Sequence, residues 1–278
     1  MGIEMEADKP SWYDALNGLP GLAGSSLPES FELKRLAIFL ISGLDDSGLN
    51  MNDQLILPAE LHEFVDKMAS LLKRYFHGGS KSRNIDFWQE ATKAKEKYRE
   101  STVFGLSGSE KKISFADVRI FLEHGREKVQ IGLQKAYDPK TGLYPTYFEN
   151  EVVKHRVISK DADSVCVEPL EFKQKSLPVF LESQVHALKV EKDPEARKTL
   201  YKAVRKSALY DTKLGMYKVN TPMQEASFEV GRARVFTPGW LENESIWLHM
   251  EYKYLLEVLK GGLTEEFFDD FKKAFVPF

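Results

Sequence analysis

A helical spacing of apolar side chains is the feature that most constrains how this chain folds. Between Pro58 and Gly78, apolar residues recur at intervals of three and four, which is typical of a helix with one buried face. Other helical segments begin at capping signals such as Ser26 to Glu29 and end at glycine pairs such as Gly261-Gly262. The pattern predicts about eight helices, joined by long loops rich in Gly, Pro and aromatic residues.

Two further segments carry structural information. Residues 151–172 are rich in β-branched side chains and contain Pro169, so an edge hairpin or an extended loop is expected there. The segment from 137 to 144 is echoed by the segment from 210 to 217, with five of eight positions identical. A repeated helix-then-turn unit favours a helical array or toroid, although aspartate, lysine and glycine are also ordinary turn residues.

The composition narrows the range of partners and compartments. Lys and Arg total 39 against 42 Asp and Glu, so the net charge of −3 provides no basic excess for nucleic acid or an anionic membrane. The single cysteine, Cys166, excludes an internal disulfide and a cysteine-based metal cage. The chain begins with no basic-then-apolar leader and contains no apolar run of about 18 residues. A cytoplasmic protein without a membrane-spanning helix is expected.

Familiar catalytic motifs are absent from the sequence. It contains no glycine-rich phosphate loop, no His-Glu-x-x-His segment and no Gly-x-Ser-x-Gly segment. The six histidines are scattered without the spacing of metal ligands. The sequence therefore predicts neither a metal site nor a bound cofactor.

The loop segment 9–32 contains the residue types that a sugar site requires. Trp12, Tyr13, Asp14 and Asn17 lie there among glycines and prolines. The apolar face of a pyranose stacks on an indole, while its hydroxyl groups need convergent donors and acceptors. A carboxyl group shielded beside a tryptophan has a raised pKa, which suits a general acid. The alternative is a buried tryptophan that caps the core, with Asp14 as an N-cap or turn residue.

A second segment, residues 229–252, combines two tryptophans with charged side chains. Its charged and polar candidates are Arg232, Arg234, Glu242, Asn243, Glu244 and His249. A histidine close to arginines and to a helix N-terminus can bind an anion. A histidine on an aromatic helix can equally be a hydrogen-bonded core residue, and composition leaves both interpretations open.

Both segments resemble motifs of one enzyme family. Residues 12–17 read W-Y-D-A-L-N, which is similar to the W-N-D-G-L/M-N signature of the cellobiose and chitobiose phosphorylases, glycoside hydrolase family 94. Residues 236–249 read F-T-P-G-W-L-E-N-E-S-I-W-L-H, which is similar to the later P-G-x-x-E-N-G-x-I-F-x-H stretch of that family. The two motifs occur in the family's order, so the chain resembles a divergent relative.

The resemblance implies a mainly α fold, an (α/α)₆ toroid with a small extended insertion near 151–172 and an active site on its inner loops. It assigns the general acid to Asp14, sugar binding to Trp12 and phosphate contact to His249. Glu242 and Asn243 match the family's E-N pair and are sugar-site or scaffold residues.

The remaining candidates complete the implied site. Tyr13 and Asn17 are further substrate-binding residues of the first motif, and Arg234 is a further phosphate-binding residue. The chain departs from the family pattern at Tyr13, at Ala15 and at Glu244. A carboxylate at Glu244 would repel a phosphate bound nearby.

The implied reaction is inverting phosphorolysis of a β-linked di- or oligosaccharide. Phosphate is already an anionic nucleophile, so one acid that protonates the departing glycosidic oxygen is sufficient. An inverting hydrolase needs a second carboxylate to activate water. Glu242 or Glu244 could supply it, so hydrolysis is an alternative, and a non-catalytic helical interaction module with core aromatics is another.

The whole chain, residues 1–278, is expected to be part of one catalytic domain. A complete toroid needs more helices than the pattern supplies, and the family's preceding helices, N-terminal β-sandwich and C-terminal end have no counterpart here. A fragment or split gene product is expected, poorly stable and inactive by itself. Its expected partners are the oligosaccharide and inorganic phosphate as co-substrate, and the full-length parent is compatible with a homodimer.

Overall fold

The computed structural model contains α-helices, 3₁₀ turns and antiparallel strands. It describes residues 2–6, 13–79, 82–161 and 164–275. The strands and α-helices are β1 (Ile3–Glu4), β2 (Ser25–Ser26), α1 (Pro28–Asp46), β3 (Gln54–Pro58), α2 (Ala59–His77), α3 (Arg83–Thr102), β4 (Glu110–Ser114), α4 (Phe115–Ala136), β5 (Tyr147–Lys160), β6 (Val165–Ser176), α5 (Leu181–Val190), α6 (Pro194–Lys206), β7 (Tyr210–Asp211), β8 (Met216–Tyr217), α7 (Leu248–Lys260) and α8 (Thr264–Ala274).

The chain divides into two compact units. The first unit comprises residues 1–32 and 132–278, and the second comprises residues 33–131. In the second unit, α2 begins directly after Pro58 and ends before Gly78, as the apolar spacing predicts. It packs on α3 and β4, and β4 pairs antiparallel with β3.

The first unit contains the main apolar core. The largest fully buried side chains of the described residues all belong to it, Phe180, Leu188 and Tyr254 among them. Within it, α5 packs on α7 and α7 packs on α8. Leu188 lies on α5 and Tyr254 on α7, so both helices contribute side chains to this core.

An antiparallel sheet forms one part of the first unit, with the strand order β1-β2-β5-β6. On the side facing β5, β2 pairs with the first two residues of that strand, Tyr147 and Phe148. From there β5 and β6 continue as a long hairpin in which most residues are exposed. The hairpin extends beyond the segment 151–172 at both ends, and Pro169 lies within its outer strand.

The predicted (α/α)₆ toroid is wrong. The structure is 53% helical, with eight α-helices among the described residues, but it also has a four-stranded antiparallel sheet and two small sheets. The helices are divided between two separate compact units. A toroid requires helix pairs in succession, whereas the β-branched stretch between α4 and α5 favours extended backbone and forms the long hairpin.

The repeated sequence corresponds to a repeated turn. Gly142 donates its N–H to the carbonyl of Asp138 at 2.8 Å, and Gly215 donates to Asp211 at 2.8 Å. The two glycines have φ values of +72° and +70°, a conformation that glycine adopts without steric cost. The similarity of the two segments therefore reports local turn geometry and does not require a toroid.

A buried carboxylate links α8 to the rest of the first unit. Asp270 is fully buried, and its Oδ2 accepts hydrogen bonds from the hydroxyl groups of Tyr217 at 2.6 Å and Tyr201 at 2.9 Å. Its Oδ1 forms an ion pair with Arg205. Its Oδ1 also lies 4.0 Å from the Nζ of Lys273. A buried carboxylate is tolerated only when it is paired and hydrogen-bonded, so the charge of Asp270 depends on these four partners.

We expect Asp270→Asn to lower the free energy of unfolding by about 3 kcal/mol, because it removes the negative charge paired with Arg205 and replaces one buried acceptor oxygen by an NH₂ group that cannot accept a hydrogen bond. Urea denaturation followed by circular dichroism measures the change. Asp269→Asn is the control, since Asp269 is the exposed neighbour on the same helix. An equal effect of the two substitutions would contradict the structural role of Asp270.

Glu251 is a second buried carboxyl group in the same region. Its Oε1 accepts a hydrogen bond from the backbone N–H of Tyr217 at 3.0 Å, while its Oε2 has no hydrogen-bond partner among the described residues. The pKa of Glu251 is raised to about 7, chiefly by burial and also by the charge of Asp270, against the lowering effect of the hydrogen bond from Tyr217. A carboxyl with a raised folded-state pKa favours folding below its unfolded pKa, and this contribution is lost as the pH rises through about 7.

The substitution Glu251→Gln should therefore stabilise the protein at high pH and not at low pH. We expect its free energy of unfolding to exceed that of the wild type by up to about 3 kcal/mol above pH 7. Near pH 4 the two proteins should differ little, because the carboxyl group is protonated in both the folded and unfolded states. Urea denaturation across this pH range measures the difference, and a difference independent of pH would refute the assignment.

Candidate functional site

The first unit brings together the two loop segments that carry the sequence motifs. The 3₁₀ turn Asp14–Leu16 packs against the 3₁₀ turn Arg232–Arg234. Beside this contact, Gly18 donates its N–H to the carbonyl of Val230 at 3.2 Å. Residues more than 200 positions apart in the chain are therefore neighbours at one junction.

Three aromatic side chains form a continuous stack at this junction. The ring centroids of Tyr13 and Trp247 are 5.5 Å apart, and those of Trp247 and His249 are also 5.5 Å apart. The rings are inclined by only 22° and 25°. Tyr13 is buried, Trp247 is half-buried and His249 is exposed, so the stack runs from the core to the surface.

Further rings enclose the inner end of the stack. Phe180 and Tyr147 meet Tyr13 edge-on, at centroid distances of 4.9 Å and 6.0 Å. The hydroxyl group of Tyr13 is buried and has no hydrogen-bond partner among the described residues. Burial raises the pKa of Tyr13 well above its usual value, and the charges of Glu182 and Glu242 raise it further. Two acidic side chains therefore lie near a neutral phenol.

Glu182 is the acidic side chain that the fold perturbs most in this cluster. It is the second residue of α5 and is half-buried. The hydroxyl group of Tyr147 donates to its Oε2 at 3.1 Å. The pKa of Glu182 is raised to about 7: burial and the charge of Glu29 raise it, while the hydrogen bond from Tyr147 and the charge of Lys253 lower it. Such a carboxyl can give or take a proton near neutral pH.

The predicted residues of the first motif lie at different depths. Tyr13 is buried in the stack, whereas Asp14 and Asn17 are exposed at the adjoining 3₁₀ turn. Trp12, which the resemblance assigns to sugar binding, lies outside the described residues. Asp14 is thus next to the stack along the chain, but its own side chain is open to solvent.

In the second motif, Asn243 and Glu242 have different environments. Asn243 is buried, and its side-chain Nδ2 donates a hydrogen bond to the carbonyl of Phe236 at 2.6 Å. Its backbone carbonyl accepts a hydrogen bond from the N–H of Gly239 at 2.8 Å. It holds the turn together, which matches the scaffold alternative. Glu242 is half-buried and lies close enough to Tyr13 to raise the pKa of the phenol.

The charged residues proposed around the phosphate are arranged as follows. His249 is exposed on the first turn of α7, at the outer end of the stack. The Nε of Arg234 donates to the carbonyl of Ala226 at 2.8 Å, so part of its guanidinium group serves the loop. Glu244 forms an ion pair with Lys218 at 2.9 Å, which offsets the negative charge that the sequence placed near the phosphate.

Sequence reasoning missed Glu182 and Tyr147. An acidic residue in the first turn of a helix is common because it interacts favourably with the helix dipole, so Glu182 carries no functional signal of its own. Its significance comes from burial beside Tyr13 and from the hydrogen bond of Tyr147, a residue 35 positions earlier in the chain. Only the tertiary contact identifies the pair.

The described residues contain neither a cluster of metal ligands nor a membrane-spanning helix. No group of three or more His, Cys, Asp or Glu side chains among them is arranged to hold a metal ion. None of their helices combines the length and the apolar character needed to cross a membrane.

Comparison of the chain with protein-family models and with curated proteins gives no match. The resemblance of residues 12–17 and 236–249 to the phosphorylase motifs therefore remains a prediction. The geometry of the junction stands independently of that resemblance, since it follows from the contacts themselves.

The junction provides a direct test of its own packing. Gly231 has a φ of +118°, and a Cβ placed on it would lie 2.5 Å from the carbonyl oxygen of Ala15. We expect Gly231→Ala to lower the free energy of unfolding by more than about 2 kcal/mol, through both backbone strain and this clash.

Gly239→Ala is the matched control for Gly231→Ala. Gly239 also has a positive φ, +87°, but no atom lies within 4 Å of its built Cβ. Gly239→Ala should therefore lower the free energy of unfolding by only about 1 kcal/mol, through backbone strain alone. Thermal or urea denaturation compares the two variants, and equal losses would show that the approach of the two segments is not tight.

Proposed function

We propose that this protein cleaves a β-linked di- or oligosaccharide by inverting phosphorolysis at the aromatic junction of the first unit. The observation that carries the proposal is the convergence of the two motif-bearing segments on one stack, formed by Tyr13, Trp247 and His249. The resemblance by itself does not require the segments to meet, so their contact supports a shared site.

The chemistry of the stack suits a sugar ring. Because the Trp247 ring is stacked between Tyr13 and His249, the surface left for a pyranose is the exposed His249 ring at the outer end of the stack, together with the edge of the half-buried indole. The carboxyl groups of Glu182 and Glu242 and the exposed side chains of Asp14 and Asn17 are suitable partners for its hydroxyl groups. An apolar face with polar groups at its edge is the combination that carbohydrate recognition needs.

The reaction needs one acid and one phosphate subsite. A carboxylic acid of the site gives its proton to the glycosidic oxygen as the bond to the anomeric carbon breaks, and a phosphate oxygen forms the new bond from the opposite side. The resemblance gives the acid role to Asp14. His249, on the first turn of α7, and Arg234 are the proposed phosphate ligands, since both can donate hydrogen bonds to an anion.

One observation leaves the alternative of hydrolysis with a single candidate base, Glu242. A hydrolase of this stereochemistry needs a second carboxylate as base. Of the two residues considered for that role, Glu244 is engaged by Lys218 at 2.9 Å. The same ion pair reduces the repulsion of a phosphate near His249.

The proposal extends to compartment and partners. Cys166 is an exposed free thiol, which suits the reducing cytoplasm. The proposed partners are the oligosaccharide and inorganic phosphate, with no bound cofactor.

The full-length protein should release sugar-1-phosphate from a β-linked disaccharide only when inorganic phosphate is present. Phosphorus NMR identifies the product and the configuration at its anomeric carbon. His249→Ala should raise the KM for phosphate by about tenfold or more with a smaller effect on the KM for the sugar, because it removes about 1.4 kcal/mol of anion binding. His155→Ala, at an exposed position of the hairpin, is the control.

Two results would reject the proposal. Release of free sugar at an equal rate without phosphate would indicate a hydrolase. No turnover of any β-linked disaccharide, together with tryptophan fluorescence that no saccharide alters, would leave the aromatic junction as part of the core only.

A further inference from the structure

We infer that Glu182, held by Tyr147, is the residue that protonates the departing glycosidic oxygen, and that Asp14 is not. This inference rests on the proposed function, since it assigns one step of that reaction. It differs from the assignment that the sequence motif suggests, and it is drawn from the packing of α5 against the aromatic junction.

The position of Glu182 satisfies the geometric requirements of an acid. Its helix begins after Phe180, whose buried ring meets Tyr13 at 4.9 Å, so the start of α5 is fixed to the inner end of the stack. Tyr147 donates to Oε2 at 3.1 Å, and Oε1 accepts no hydrogen bond from the described residues. Glu182 is half-buried, so this second oxygen is available to a ligand.

The surroundings of Glu182 favour its protonated form at neutral pH. The pKa of its carboxyl group is raised to about 7, chiefly by burial and to a smaller extent by the charge of Glu29 on α1. Tyr147 on β5 and Lys253 on α7 act in the opposite direction. The nearby phenol of Tyr13 is itself neutral, because burial raises its pKa. The carboxyl group of Glu182 can therefore give and take a proton near neutral pH.

Asp14 lacks this shielding. Its side chain is exposed at the start of the 3₁₀ turn. Inverting phosphorolysis uses a single acid, so Glu182 and Asp14 cannot both fill the role. At the surface end of the junction, Asp14 is suited to accept hydrogen bonds from sugar hydroxyl groups.

The proton and electron balance of the step is simple. Glu182 gives its proton to the glycosidic oxygen, which leaves with the electron pair of the broken C–O bond as an alcohol. Phosphate supplies the electron pair of the new C–O bond and becomes the sugar-1-phosphate. Glu182 is left as a carboxylate that accepts the hydrogen bond of Tyr147, and it takes a proton back from solvent before the next turnover.

The test compares Glu182→Gln with Asp14→Asn on two substrates. We expect Glu182→Gln to lower kcat on a β-linked disaccharide by about 10²–10⁴-fold. On a dinitrophenyl β-glycoside, whose leaving group needs no proton, it should stay within about tenfold of the wild type. Asp14→Asn should affect both substrates alike, mainly through KM.

The pH dependence provides a second readout. In the wild type, kcat/KM for the disaccharide at saturating phosphate should fall as the pH rises through about 7, the pKa of Glu182, because the acid must be protonated. Tyr147→Phe removes the hydrogen bond that favours the carboxylate, so in this variant kcat/KM should fall at a higher pH than in the wild type. Glu251→Gln is the control, since Glu251 also has a pKa of about 7 but belongs to the buried network. Phosphate titrates identically in every variant.

Each result has one interpretation. A wild type that forms no sugar-1-phosphate would refute the proposed function and the role of Glu182 with it. If the wild type carries out phosphorolysis but kcat/KM falls at the same pH in Tyr147→Phe as in the wild type, the role of Glu182 alone is overturned. This holds even if Glu182→Gln fails to fold. A loss that depends on the leaving group in Asp14→Asn, and not in Glu182→Gln, would return the acid role to Asp14.

Discussion

The packing of one buried ring, that of Tyr13, organises the first unit. It stacks on Trp247 just before α7 and meets Tyr147 on β5 and Phe180 just before α5 edge-on. A sheet strand and the beginnings of two helices are thereby tied to the N-terminal segment. Aromatic pairs in these geometries contribute about 0.5–1.5 kcal/mol each beyond the burial of their surface, so the ring is an energetic as well as a geometric centre.

Burial in the first unit raises the pKa of two carboxyl groups, those of Glu182 and Glu251, which have different surroundings. Glu251 is fully buried near Asp270 and accepts a hydrogen bond from the backbone N–H of Tyr217. Its ionisation therefore affects the free energy of unfolding. Glu182 is half-buried beside an aromatic stack that reaches the surface. Desolvation perturbs both groups, and access to a ligand distinguishes them.

A buried asparagine shapes the loop that brings the second motif to the junction. Asn220 donates from Nδ2 to the carbonyl of Glu242 at 2.5 Å and accepts from the N–H of Glu244 at 2.6 Å. Glu244 has a positive φ of 55°, which is unusual for a residue with a long side chain. The two hydrogen bonds offset the cost of that conformation and hold the loop in the orientation in which Glu242 lies near Tyr13.

The local features can be predicted from the amino-acid sequence, because their signals lie within a few residues of one another. The limits of α2 follow from apolar spacing and from Gly78, and the turns at Gly142 and Gly215 follow from residues that tolerate positive φ. The motifs also marked the two segments that meet. Three properties come from contacts between distant parts of the chain: the division into two compact units with no toroid, the exposure of Asp14, and the raised pKa of Glu182. These properties depend on burial by residues distant in the chain, which no local pattern encodes.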